Sequence, residues 1–319
     1  MEMILDPTIL FFCLGVIAVW VNSNIEIPPQ ITKFLSYYLL MSIGFKGGIS
    51  LANAVFTPQI FMTICVGMLA AVIIPLWLFY ILKKKLDVQN AAAAAACYGS
   101  VSAVTFLTAI SWLENRGLNY GGHMVAMMAL MESPAIIVGL LLAKTASSKS
   151  GAKSVQFSMK ETLHDAFFNG SVFILIGSLM IGYIMNPAKA HDYQVFVYDI
   201  FKGFLCFFLL DLGMSAARQI KELKNNAIFL TTIALVAPLI NSVFALLIAK
   251  ALGLSVGDGF LFMILLASAS YIAVPAALKT NLPQATPSIY LSMSLGLTFP
   301  FNILLGLPLY WWMAQKFLS

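Results

Sequence analysis

The sequence predicts an all-α polytopic membrane protein with ten transmembrane helices, arranged as two inverted five-helix repeats. Three observations predict it. The chain is 61% hydrophobic and only 10% charged, where a soluble domain of this size carries about 25% charged residues. Its apolar residues fall into runs of roughly 17–25, the length a helix needs to cross the hydrocarbon core. The second half of the chain repeats small-residue and proline signals of the first half at an offset near 168 residues. Strand-like alternation is absent, which argues against a membrane β-barrel.

Taken in order, the expected spans are 8–25, 34–52, 59–82, 90–113 and 123–143, then 168–186, 200–217, 227–250, 259–279 and 287–315. The first repeat is residues 1–143, a linker follows over 144–167, and the second repeat is 168–319. The residues before the first span carry Glu2 and Asp6 but no Lys or Arg, so a signal peptide, which needs a basic start, is not expected. With ten spans, alternate loops face opposite sides. One side collects twelve cations: Lys33, Lys83–Lys85, Lys144, Lys149, Lys153, Lys160, Arg218, Lys221, Lys224 and Lys279. The other collects Arg116, Lys189, Lys250 and Lys316. The positive-inside rule therefore puts the linker in the cytoplasm and both termini outside, in a plasma or inner membrane. The linker is Ser- and Lys-rich at first, with helical character over Ser158–Asp165.

The repeat signals keep their order. Ile43-Gly44-Phe45 corresponds to Leu212-Gly213-Met214, and Pro75 to Pro238. Gly99-Ser100-Val101-Ser102 corresponds to Ala267-Ser268-Ala269-Ser270. Ser133-Pro134, with Gly139, corresponds to Phe299-Pro300, with Gly306. An odd number of spans per repeat forces the second copy to enter the membrane from the opposite side. Inverted repeats of this kind are typical of secondary transporters, which bind their cargo near the midplane at interrupted helices.

Spans four and nine carry such interruptions. Tyr98, Gly99, Ser100, Ser102 and Thr105 lie mid-span in the fourth; Ser268, Ala269, Ser270 and Tyr271 lie mid-span in the ninth, ahead of Pro275. Proline removes a backbone donor and clashes with the preceding turn, so the ninth helix is expected to break or kink there. A half-helix N-terminus favours an anion, while freed carbonyls and hydroxyls suit a hard cation. Two facing breaks would make a small site for both. The plainer alternative is that small residues only permit tight helix packing.

Ionisable residues inside spans are functional candidates by default. Glu132 precedes Ser133-Pro134 and corresponds to Thr298, making both cation-ligand candidates; a structural hydrogen bond is the rival role for Glu132. Lys46 lies near the outer end of span two, where snorkelling to the surface is its expected role. Asp211 is the clear mid-span aspartate, and an ion pair with Lys46 is a further reading. The four cysteines lie inside apolar runs and read as packing. The three histidines are scattered, with no metal-ligand spacing. The net charge of +5 is explained by topology and gives no reason to expect nucleic acid. No nucleotide-binding Gly-rich loop is present, and no catalytic pair lies within the spans, so enzymatic chemistry is not expected.

The sequence resembles the sodium-dependent bicarbonate transporters known from cyanobacteria. The resemblance is carried along nearly the whole chain by Leu39–Gly48, Tyr98–Thr105, Met131–Ala135, Lys160–Leu163, Leu212–Met214 and Leu282–Ser288. It implies a core and a gate domain, a homotrimer, and sodium-coupled uptake of bicarbonate or a similar small anion by alternating access. On that basis Tyr98, Gly99, Ser100, Ser102, Ser268, Ala269, Ser270 and Tyr271 would bind the anion. Thr105, Glu132 and Thr298 would bind Na+. It also implies inhibition by a cytoplasmic PII-like protein and gives no organic cofactor. Three positions depart from the family pattern. The cyanobacterial ninth-span motif reads roughly Ser-Ser-Ser-Asp-Ile-Ser-Gly-Pro-Pro, and Tyr271 stands at its acidic position. Glu132 replaces a shorter Asp, and Lys46 stands where a small hydroxyl residue is usual. An organic-anion symporter of the bile-acid type on a related inverted-repeat fold is the alternative; a channel or sensor is a further one.

Overall fold

The computed structural model of the chain describes residues 5–149, 164, 168, 170–185, 192–222 and 226–319, and every regular element among them is helical. The first half forms α1 (Pro7–Trp20), α2 (Pro29–Ala52), α3 (Pro58–Leu82), α4 (Val88–Gly99), α5 (Ala103–Glu114) and α6 (His123–Lys149). The second forms α7 (Gly170–Ile184), α8 (Ile200–Glu222), α9 (Ala227–Ala251), α10 (Val256–Ala267), α11 (Ala273–Asn281) and α12 (Pro287–Leu318). Among the described residues, six helical stretches are long and apolar enough to cross a membrane, Val88–Glu114 being one of them across its interruption. Shorter apolar helices occupy Pro7–Trp20, Gly170–Ile184 and Val256–Ala267. The surface helix expected over Ser158–Asp165 falls almost wholly outside the described residues, as do Lys189 and His191.

Local chemistry sets the boundaries. Thr57, Asp87 and Ser255 each accept a hydrogen bond from a backbone N–H in the first turn of the helix they cap, and prolines open α1, α2, α3 and α12, where a missing N–H costs nothing. The first helix ends five residues before the expected 25. Asn22 adopts a left-handed conformation (φ 54°), and the Ser23 N–H bonds back to the Ala18 carbonyl, which terminates the helix. The last span is not uniform. It widens into π-helical turns over Ser292–Thr298 and Asn302–Gly306. Pro300 and Pro308 lie just past those turns and cannot donate to carbonyls four residues back, so the helix opens locally around them.

The helices pack in two groups. In the first, α1 lies along α8 and α2 along α7. Glycines allow the approach: a Cβ on Gly15 would sit 2.1 Å from the Leu210 carbonyl oxygen, and one on Gly48 would sit 2.1 Å from that of Leu179. In the second, α3, α4 and α6 pack together and α9 and α12 pack on α10. Ala91–Ala96 are all fully buried in α4, and this run of small side chains lets its neighbours close in. The second group holds both interrupted helices at its centre.

Candidate functional site

The α4–α5 stretch breaks at Ser100–Ser102, and the α10–α11 stretch at Ser268–Ile272. In each case the helix stops on a serine with extended backbone, at Ser100 (ψ −174°) and Ser268 (ψ 173°). The second helix of each pair then starts under a serine hydroxyl. Ser102 Oγ accepts from the Thr105 N–H at 3.2 Å, and Ser270 Oγ accepts from the Val274 N–H at 3.2 Å. The second break lies ahead of Pro275, not at it. A proline's ring excludes the carbonyl four residues before it, here that of Tyr271, while Pro275 itself sits in the first turn of α11, where it is tolerated.

The two breaks touch. The Ser270 N–H donates to the Cys97 carbonyl at 2.7 Å, and the Ser102 N–H donates to Ser268 Oγ at 2.9 Å. Each break thus satisfies a group that the other's interruption has freed, through a backbone N–H in one contact and a serine hydroxyl in the other, and the residues of both contacts are buried. Asn302, on the π-widened last helix, completes the set. Its amide donates to the Ala267 carbonyl at 2.8 Å, and the Tyr310 hydroxyl in turn donates to Asn302 Oδ1 at 3.0 Å. Sequence reading passed over Asn302; a neutral amide inside an apolar run was the signal available.

Beside the crossing lies a cavity of about 10 Å³, room for one water-sized occupant. Of the residues predicted from sequence, Ser102, Glu132, Ser270 and Tyr271 line it, joined by Ser36 from α2 and Ser171 from α7. The site therefore lies where the two helix groups meet. Glu132 is 6% exposed, and its Oε2 has no hydrogen-bonding partner. The Tyr271 ring packs on Phe299 with centroids 5.1 Å apart. Its hydroxyl approaches Ser102 but forms no hydrogen bond of full geometry. The N-termini of α5 and α11 begin at the same crossing, so partial positive charge from two helix ends meets one carboxylate and several hydroxyls.

The remaining predicted residues frame this cavity without lining it. Tyr98 OH and Thr298 Oγ1 are 2.5 Å apart. Thr298 spends its proton on the Ala234 carbonyl at 2.7 Å, so Tyr98 is the donor between them. Thr105 donates to Ser102 Oγ at 2.9 Å. Gly99 allows α3 to approach, because a Cβ there would lie 2.5 Å from Pro75 Cδ. Ser100 is buried with an unpartnered hydroxyl, and Ala269 is buried at the turn.

A second cavity of about 640 Å³ shares Ser36, Ser171, Tyr271, Ile272 and Ala273 with the small one and extends to Lys33, Asp211 and Arg218. Asp211 accepts from Thr32 Oγ1 at 2.8 Å, so it is not the partner of Lys46. Lys46 does not snorkel either. It is 4% exposed and forms an ion pair with Glu114 at 3.0 Å. Both expectations failed for one reason: Glu114 is 68 residues away in sequence, and no local pattern reveals it.

All-helical architecture, spans of membrane length and two interrupted helices crossing over a buried, hydroxyl-rich cavity define a multi-pass helical membrane protein with its candidate site inside the bundle. Residues 7–315 match the Na+-dependent bicarbonate transporter superfamily, nearly the whole chain, and the protein belongs to that family. No curated protein matches the chain.

Proposed function

We propose that the protein is a secondary active transporter that couples Na+ to the uptake of bicarbonate, or a similar small anion, by alternating access. The observation that carries this is the reciprocal bonding of the two breaks, Ser270 N–H to Cys97 and Ser102 N–H to Ser268. It brings two helix N-termini and an acidic side chain to one point between two packed groups of helices. An anion would sit against the N-termini of α5 and α11, within reach of Ser102, Ser270 and the Tyr271 phenol. Na+ would take oxygens from Glu132 and neighbouring hydroxyls. Tyr98, Gly99, Ser100, Ser268, Ala269, Thr105 and Thr298 would hold the breaks in shape around them. The small cavity has room for one water-sized occupant, and bicarbonate has four heavy atoms. The anion would therefore be admitted when Tyr271 and Ile272 yield toward the larger cavity.

In this reading the two halves are inverted repeats, the group of α1, α2, α7 and α8 is the gate, and the remaining helices are the core. The larger cavity, bordered by Lys33 and Arg218, is the cytoplasmic vestibule. The protein is a homotrimer in a plasma or inner membrane with both termini outside, and a PII-like protein is its cytoplasmic regulator. Membership of the Na+-dependent bicarbonate transporter superfamily supports sodium as the coupling ion and a small anion as cargo. Membership of that family, rather than the volume of either cavity, disfavours the bile-acid-type alternative.

The test is uptake of labelled bicarbonate into proteoliposomes with and without an inward sodium gradient. Accumulation that requires the gradient is expected. Uptake indifferent to sodium would remove the coupling, and exclusion of bicarbonate beside accumulation of another anion would remove the substrate.

A further inference from the structure

At the end of α2 remote from Lys33, about 20 Å along the helix axis at 1.5 Å per residue, the two helix groups are in close contact. A Cβ on Gly47 would fall 2.7 Å from Val125 Cβ of α6, and one on Gly122 would fall 2.3 Å from the Gly47 carbonyl oxygen. The Gly122 N–H donates to Ser50 Oγ at 3.1 Å. Lys46 lies within this seam. Its Nζ reaches both oxygens of Glu114, at 3.1 and 3.0 Å.

The surroundings of the two charges are divided by group. The ammonium lies 4.3 Å from the centroids of both the Tyr198 and Phe201 rings, which precede and open α8 in the same group as α2. Tyr38 of α2 ties this segment down by donating to the Phe196 carbonyl. The carboxylate ends α5, in the other group, and accepts from the Tyr120 hydroxyl at 3.0 Å. Burial, reinforced by the neighbouring carboxylate, pushes the Tyr120 phenol well above its ordinary pKa, which keeps it a donor. A buried ion pair normally resists separation because each charge is left unpaired. Here each charge keeps a partner on its own side, ring faces for the cation and a phenol for the anion.

We propose that Lys46 and Glu114 form a breakable latch between the two helix groups, holding this end of the site closed while the vestibule at the other end is open. The inference rests on the alternating-access reading of the preceding section. The latch must part before the site can open on the Lys46 side, and its strength sets how often that happens.

The test uses Val125→Cys in a background whose four native cysteines are alanine. Val125 is fully buried against α2, so its thiol reacts only when the seam opens. In detergent, where reagent reaches both ends, Lys46→Gln or Glu114→Gln is expected to raise the labelling rate about tenfold, equivalent to roughly 1.4 kcal/mol of lost closure. Lys46→Arg should label at close to the parent rate. Lys46→Gln with Glu114→Gln should label no faster than the quicker single variant, because one interaction has been lost once. Should a single variant fail to fold, this doubly neutral variant, which buries no lone charge, carries the test.

Parent-like rates in the neutralised variants would overturn the latch, as would strictly additive effects. Faster labelling in variants of a protein that accumulates no small anion under a sodium gradient would leave the latch standing and overturn the transport reading. Unchanged labelling beside sodium-driven uptake would overturn the latch alone.

Discussion

Replacing Ser268 by alanine tests the crossing directly. Ser268 Oγ accepts from the Ser102 N–H at 2.9 Å, the contact that ties the start of α5 to the end of α10. Both residues are buried. The substitution removes only the hydroxyl and leaves a buried N–H without its acceptor, a loss of about 1–3 kcal/mol. At roughly 2–4 °C per kcal/mol for a protein of a few hundred residues, thermal unfolding in detergent should begin about 2–12 °C lower. Ser242→Ala is the matched control. Ser242 is equally buried, but its hydroxyl donates to the Leu239 carbonyl of its own helix at 2.8 Å, so its removal should change stability by under about 0.5 kcal/mol. Equal losses in the two variants, or no loss in Ser268→Ala, would refute the argument that the breaks are held by bonding across the crossing.

Three further outcomes follow from the same geometry. Gly99→Ala should destabilise by about 1–3 kcal/mol through overpacking, since the new Cβ would meet Pro75 Cδ at 2.5 Å; a cycle with Pro75→Ala, read by thermal unfolding, should show that the two effects are not additive. Asn302→Leu strands the Ala267 carbonyl and the Tyr310 hydroxyl, so it should cost about 1–3 kcal/mol for each group left unpaired and slow uptake. Glu132→Gln keeps the shape of the cavity but removes its carboxylate; the sodium concentration for half-maximal uptake should rise at least about tenfold, the equivalent of 1.4 kcal/mol of binding, with no fall in thermal stability.

Much of this architecture was legible in the sequence, because apolar runs and helix breakers are local signals. The helix positions follow the apolar runs to within a few residues except at Trp20, where a left-handed Asn22 ends the helix early, at Pro29, which opens α2 five residues before the expected 34, and near Lys149 and Glu222, where helices continue past their apolar runs. The two interruptions were visible as Gly99–Ser102 and Ala267–Ser270, and Pro275 marked the second, although the ring acts on the turn before it. What the sequence did not reveal depends on partners far along the chain. Asn302 serves a carbonyl 35 residues away, and Lys46 meets an acid 68 residues away. Thr105 and Thr298 are cation-ligand candidates because hydroxyls near a break suit one; each spends its proton on a neighbour and so turns oxygen lone pairs outward, but neither lines the small cavity. Ser36 and Ser171 reach the cavity from the other helix group, and no repeat signal pointed to them.

If the crossing binds Na+ and bicarbonate together, coupling must be reciprocal, since each ligand alters the other's binding by the same factor. The most direct measurement is uptake of radiolabelled sodium into proteoliposomes with and without an inward bicarbonate gradient, for the parent and for Ser270→Leu. Bicarbonate-dependent sodium uptake in the parent, abolished in a folded Ser270→Leu protein, is the predicted result. Sodium uptake independent of bicarbonate, or coupling that survives a leucine at the crossing, would contradict it.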